Sequence, residues 1–260
     1  MDDTLLAKLA DQLDQAIINK KTIPQISAAY PNITLKQSYE IQKQGIALRQ
    51  KRGEKIVGYK MGLTSPEKRA QMHVNAPIYG TLTNVMQIKS NAVCKLDQLI
   101  QPKIEAEVAF ILKKELKGKV TLEQVLSASS GVCAAMDIID SRFQNFKFTL
   151  SDVIADNCSA GRFVLSEQVH DPMKVDVSKL KIELIINDKV VEVGTSQDIS
   201  GNPAHSVMML AHLLFDEENA GIPAGSIILC GSAVNAVTLS ANMVVKNKIE
   251  KLGDALVKVE

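Results

Sequence analysis

The chain has 260 residues, 46% of them hydrophobic and 23% charged, an ordinary globular balance with enough apolar surface for a substantial core. Thirty basic residues against 29 acidic ones leave a formal charge of +1, so no domain-wide basic excess exists to displace counterions from a nucleic acid. The four cysteines stand tens of residues apart with no Cys-x-x-Cys or Cys/His cluster, which argues against zinc, and no apolar run approaches the ~18 residues of a membrane span.

Leu5, Leu9, Leu13 and Ile17 recur every four residues and predict an amphipathic helix. Lys8, Asp11 and Asp14 interrupt it, so it lacks the apolar core of a secretory signal, and a reducing cytoplasm is the expected compartment. Pro24 and Pro31 mark a connection. Thr34 with Gln37 three residues later forms a capping box, predicting a helix to about Arg52 that Gly53 ends. The basic run from Arg49 to Lys55 is expected to be its solvated end. Residues 1–55 are therefore expected to form a helical cap region, and residues 56–260 a β-rich catalytic body.

Within that body, Ile104, Ala106, Val108 and Phe110 alternate with Glu105, Glu107, Ala109 and Ile111, the period of a strand. Thr121 opens a capped helix, and Ala134 to Asp140 is the next strand. Leu180 to Ile186 and Val190 to Val193, joined by Asn187-Asp188, predict a hairpin. Pro203 opens a helix with Val207, Leu210, Ala211 and Leu214 on one face. Ile227 to Leu229, Val234 to Leu239 and Met243 to Val245 supply closing strands. The fold class is α+β with a large mixed or antiparallel β body, without internal repeats.

Glu105 and Glu107 project side by side from one strand face. Two adjacent anions repel, and burying them requires compensation by a cation or by hydrogen bonds. A divalent metal fits, and an all-carboxylate set favours Mg²⁺, Mn²⁺ or Ca²⁺ over zinc. A solvated strand face is the competing reading. Asp137 stands alone among small and apolar residues, either as a third ligand or as the partner of a Lys or Arg. Asp140 and Arg142 offer a local ion pair. Lys60 lies among apolar residues between Gly58 and Gly62, which allow close approach of a ligand; desolvation would lower its pKa and suit it to proton transfer. A snorkelling strand lysine is the alternative. Cys133 and Cys230 sit in apolar runs as buried thiols. The histidines His73, His170, His205 and His212 have no ligand spacing, and His205 and His212 fall on the predicted helix. Gly-x-Ser-x-Gly, P-loop and Gly-x-Gly-x-x-Gly patterns are absent.

Several motifs in order resemble a known family. These are Lys60-Met61-Gly62-Leu63-Thr64-Ser65, Pro77-Ile78-Tyr79-Gly80, Gln101-Pro102-Lys103-Ile104-Glu105-Ala106-Glu107, Asp140-Ser141-Arg142, Asn145-Phe146-Lys147-Phe148 and Val153-Ile154-Ala155-Asp156-Asn157. Together they are similar to the 2-keto-4-pentenoate hydratase and 4-oxalocrotonate decarboxylase family of the fumarylacetoacetate hydrolase superfamily. The resemblance runs from about Ile23 to the C-terminus. It implies an N-terminal helical cap on a mixed β-roll body of the fumarylacetoacetate hydrolase C-terminal-domain type.

The resemblance also implies a divalent metal, Mg²⁺ or Mn²⁺, held by Glu105, Glu107 and Asp137. The family usually has Glu at the third place, so Asp137 is a departure. Lys60 matches the active-site lysine, and Ser65, Ser159 and Arg162 are expected on the substrate side, Arg162 binding the distal carboxylate of a dicarboxylic acid. Hydratases of the family carry an acidic residue where this chain has Ile78, which favours decarboxylation of 2-oxohex-3-enedioate over hydration of 2-hydroxypenta-2,4-dienoate. Both reactions belong to meta-cleavage catabolism of aromatic compounds. A homo-oligomer is expected, as is association with the pathway hydratase, and a non-catalytic partner subunit is the remaining alternative.

Overall fold

The computed structural model describes residues 1–65, 69 and 77–260. Three helices come first: α1 (Asp3–Ile18), α2 (Ile26–Ala29) and α3 (Leu35–Lys51). Asp2 caps α1 by accepting from the Leu5 amide at 2.8 Å, and Thr34 with Gln37 forms the expected capping box on α3. Leu6, Leu9, Ala10 and Leu13 of α1 pack with Ile41, Phe143 and Ala155 in a separate small core. The basic run at the end of α3 is not simply solvated. Arg49 is buried, and Arg52 forks onto the buried Asp14 of α1 at 2.6 and 2.7 Å, tying the two helices together.

The strands then follow: β1 (Ile56–Gly62), β2 (Ile78–Thr83), β3 (Gln87–Lys89), β4 (Val93–Cys94), β5 (Lys103–Leu112) and β6 (Leu116–Lys117). Helix α4 (Leu122–Ala128) precedes β7 (Ser129–Ile139), and α5 (Leu150–Ala155) precedes β8 (Ala160–Leu165). The hairpin is β9 (Lys181–Ile186) and β10 (Lys189–Thr195), with Asn187 and Asp188 both at positive φ, the geometry of a two-residue turn matched to strand twist. Helix α6 (Pro203–Glu218), β11 (Gly221–Ile222), β12 (Ile227–Ser232), β13 (Val237–Thr238), β14 (Val244–Ile249) and β15 (Gly253–Val259) complete the chain. Two strand expectations need correction. β7 begins five residues before Ala134, and Val234 to Leu239 contributes only the two-residue β13.

An eight-stranded mixed sheet runs β2-β1-β12-β5-β7-β8-β3, with β13 paired to the start of β5. A five-stranded sheet runs β10-β9-β14-β15-β4, and β11 pairs β6. Ile104, Ala106, Val108 and Phe110 of β5 share the main core with Ile182, Leu184, Val245 and Val257 of the second sheet. The opposite face of β5 and β7 gathers Ala109, Cys133 and Ala135 with Leu82 of β2, Phe163 of β8 and Leu229 of β12. Strands from both sides of the sheet thus meet on one surface, so the sheet is curled into a half-barrel. Gly58 allows close approach of the β12 backbone rather than of a ligand, because a Cβ there would lie 1.8 Å from the Ile227 carbonyl oxygen.

Candidate active site

The concave face of the curl carries the charged residues. In the β5–β7 ladder Glu105 stands directly opposite Asp137, and Glu107 opposite Ala135, so alternation puts Glu105, Glu107 and Asp137 on one face. Their ligand oxygens all lie within 4.8 Å of one another. Glu107 and Asp137 are buried, and Glu105 is half-buried. The solvated-face reading of the two glutamates therefore fails.

Lys60 reaches this cluster from β1, which is separated from β7 by β12 and β5. On a flat sheet three strand spacings amount to about 14 Å, more than a lysine can cross, so the contact depends on the curl. The Lys60 ammonium is buried, forms an ion pair with Asp137 Oδ2, and donates to the Cys158 carbonyl oxygen at 2.9 Å. That carbonyl is presented by Asn157, Cys158 and Ser159, three successive residues at positive φ. Asn157 fixes the turn to β2: Thr81 N–H donates to its Oδ1 at 2.7 Å, and its amide donates to the Thr81 carbonyl at 2.9 Å. Such left-handed conformations cost about 1 kcal/mol or more per residue and persist only where surrounding contacts enforce them.

Glu107 has its own anchor. The β5–β12 register slips between Leu229 and Ser232, and at this bulge Gly231 turns its N–H onto Glu107 Oε2 at 2.8 Å. Glycine is required there, since φ is +101° and a Cβ would lie 2.3 Å from Thr64 Oγ1. From beneath, buried Asn247 of β14 donates to the backbone carbonyls of Glu107 and Ala135 at 3.1 and 2.6 Å, clasping the ladder at that rung.

The electrostatics follow from crowding without water. Burial, then the charges of Asp137 and Glu105, hold the Glu107 carboxyl well above the usual range, against the pull of Lys60 and the Gly231 amide. Burial also raises Asp137, against the opposing pull of Lys60. For Lys60 the expectation of a lowered pKa is corrected. Burial pushes it down, but Asp137, Glu105 and Glu107 more than offset that, so the ammonium is held charged. Asp137 Oδ1 is buried with no hydrogen-bond partner. Three convergent carboxylates with an orphaned oxygen make a donor set for a hard divalent cation.

Beside the cluster lies a cleft of about 180 Å³. Lys60, Glu105, Thr64, Ser159 and the Gly231–Ser232 backbone form its polar side. Leu63, Ile78, Phe146, Phe148 and Val153 form an apolar wall. Ser159 is buried, with its hydroxyl 3.4 Å from Asp156 Oδ2. Ser65 adjoins Thr64, and its carbonyl accepts from the Arg69 N–H at 3.1 Å.

Arg162 is not brought to this cleft. It pairs across the ladder with Ile138, whose side chain lies in the core between the sheets, so alternation turns it away from Asp137. Its guanidinium instead donates to the Gly161 carbonyl and to Gln98. The Asp140–Arg142 pair is also corrected. The Asp140 carboxylate accepts from the Ile100 and Gln101 amides, while buried Arg142 pairs with Asp156 and donates to the Asp140 and Ala160 carbonyls. His205 and His212 lie on α6 with backbone carbonyl partners, and His73 is outside the described residues. The Gly231 amide, the Asn157 clasp and Asn247 were missed in sequence. Only the glycine after the apolar run Ile227 to Cys230 signalled a bulge.

Residues 55–260 match the family model described as fumarylacetoacetate hydrolase C-terminal. A 4-oxalocrotonate decarboxylase of Pseudomonas sp. (strain CF600) is 40% identical over 239 residues, covering 92% of this chain and 90% of the relative. A 2-hydroxyhexa-2,4-dienoate hydratase of Comamonas testosteroni is 33% identical, covering 97% and 96%. Among solved structures, 4-oxalocrotonate decarboxylase from Pseudomonas putida G7, complexed with magnesium and adipate, superposes with a TM-score of 0.97 at 34% identity, covering 100% of this chain and 99% of that one. The chain belongs to the fumarylacetoacetate hydrolase family, in the group that holds the 4-oxalocrotonate decarboxylases and the dienoate hydratases.

Proposed function

We propose that this protein is a metal-dependent lyase that decarboxylates 2-oxohex-3-enedioate to 2-hydroxypenta-2,4-dienoate. The observation that carries this reading is a carboxylate triad, two members buried and one half-buried, beside an apolar wall that includes Ile78. Glu105, Glu107 and Asp137 would hold Mg²⁺ or Mn²⁺, as the magnesium complex of the solved decarboxylase supports. When bound, such an ion supplies a Lewis acid for the 2-oxo acid end of the substrate.

The protein's own residues do the rest. Breaking the C5–C6 bond releases CO₂, and its electron pair moves through the conjugated chain to the 2-oxo oxygen. Lys60, held charged by the surrounding carboxylates and fixed by the Cys158 carbonyl, stabilises that oxyanion and donates the proton that yields the neutral dienol. Leu63, Ile78, Phe148 and Val153 keep water from the conjugated chain. Hydration would need an acid beside the double bond, and isoleucine cannot supply one.

A place in meta-cleavage catabolism follows from this chemistry, with the dienol passed to a hydratase that associates with this enzyme. The four cysteines are free and buried, and no helix among the described residues is long and apolar enough to cross a membrane. Free, buried thiols suit a reducing compartment such as the cytoplasm, and a homo-oligomer completes this reading. The test is ultraviolet loss of 2-oxohex-3-enedioate with Mg²⁺, CO₂ detected directly, and a chelator control. Stoichiometric, chelator-sensitive CO₂ is expected. Consumption of 2-hydroxypenta-2,4-dienoate without CO₂ would instead make the enzyme a hydratase.

A further inference from the structure

With Arg162 turned away, the cleft needs another cation if it is to hold a second carboxylate. The β5–β7 ladder supplies one. Lys103 pairs directly with Ile139, Glu105 with Asp137, and Glu107 with Ala135, so Lys103 lies on the triad's face, one rung outward. Ile139, its rung partner, lines the cleft. Burial falls in order along this face, from buried Glu107 to half-buried Glu105 and Lys103. The face therefore carries a cation one rung beyond Glu105.

That cation is placed but not neutralised. Its ammonium sits 4.4 Å from the centroid of the Phe146 ring. Phe146 lines the cleft and also an open basin of about 560 Å³; Lys103 borders the basin, against the ring that the two share. A cation over a ring face is held in position while its charge stays available to an anion. Among the described residues no carboxylate lies within ion-pair range of Lys103.

We propose that Lys103, steadied on Phe146, is the subsite for the distal carboxylate of the substrate and makes the cleft selective for 2-oxo dicarboxylic acids over 2-oxo monocarboxylic acids. The inference rests on the reading above only in placing the 2-oxo acid end at the triad. Length supports it. Successive same-face rungs are about 6.6 Å apart. An extended six-carbon diacid has five C–C bonds between its carboxyl carbons, against the six backbone bonds of a strand dipeptide. The charge Lys103 would hold leaves as neutral CO₂, so its attraction acts on the bound substrate and fades in the transition state. It is a specificity contact that lowers KM rather than raising kcat.

The test compares binding of 2-oxoadipate and 2-oxohexanoate, which differ only in the distal carboxylate, by calorimetry with Mg²⁺ present. The wild type is expected to prefer the diacid by about two- to fivefold, the range of a partly exposed charge pair. Lys103→Met keeps the alkyl stem on Phe146 and should abolish the preference, whereas Lys103→Arg should retain it. With 2-oxohex-3-enedioate, Lys103→Met should raise KM without lowering kcat. An unchanged preference in Lys103→Met, or none in the wild type, overturns the proposal. CO₂ release is scored separately. Its absence alongside an intact, Lys103-dependent preference would sink the decarboxylase reading and leave the subsite standing.

Discussion

Two buried ion pairs lie close together in this protein and are built in opposite ways. Arg142 and Asp156 form a closed pair behind the cleft: the guanidinium also donates to the Asp140 and Ala160 carbonyls, and Asp156 accepts from the Arg142 amide as well. Lys60 and Asp137 form an open pair, with one ammonium among three carboxylates and Asp137 Oδ1 unpartnered. A satisfied pair organises its surroundings, here the turn that leads to Asn157. An unsatisfied pair keeps excess negative charge at the price of stability, and that excess can receive a cation.

The largest effect that separates the two pairs is expected from Arg142→Met, which strands Asp156 and should destabilise the fold by about 3–5 kcal/mol in denaturant unfolding. A loss under 1 kcal/mol would mean the closed pair is not structural. Next, Lys60→Met should lower turnover by about a hundredfold or more, the usual range for a lost proton-transfer group, while Mg²⁺ affinity by calorimetry changes far less. Equal losses in both would make Lys60 part of the metal site. Glu107→Gln should have the opposite sign on stability. Without metal it relieves the burial and repulsion that hold this carboxyl above its usual range and should therefore stabilise the fold, while Mg²⁺ no longer raises the melting temperature.

The smallest effect concerns pH. Burial raises Asp156 to about 6, against the downward pull of Arg142. Its folded pKa lies above the unfolded value near 3.9. Its contribution to stability is therefore fully present below the unfolded pKa and is lost as pH rises through about 6. Carboxyl carbon NMR should place the titration near that value. A midpoint below 4 would show that Arg142 dominates burial.

The legibility of this protein in sequence followed range. The capping box at Thr34, the Asn187-Asp188 hairpin turn and the alternation around Glu105 are local patterns, and each has its expected structure. The two glutamates announced a shared face because strand periodicity needs only neighbours. The pairing of Lys60 with Asp137 needed the curl, which depends on packing among Leu82, Phe163 and Leu229. Arg162 failed for a related reason. Its motif placed it near the site in sequence, but one step along a strand reverses the side chain. The same alternation, counted from Glu105, puts Lys103 on the productive face.

The parallel pairing of β1 with β12 also bears on when the site comes into being during synthesis. Gly58 pairs with Ile227, and Lys60 with Leu229, so β1, though β2 is made soon after it, waits for β12 until most of the chain has been made. At ribosomal rates of about 5–20 residues per second, that wait is on the order of 10 s or more. Until then Lys60 has no fixed route to Asp137, and the Gly231 amide that anchors Glu107 has yet to be made. Nascent chains should therefore neither retain the metal tightly nor turn over substrate. An ion captured by the finished cleft would report completion of the whole sheet.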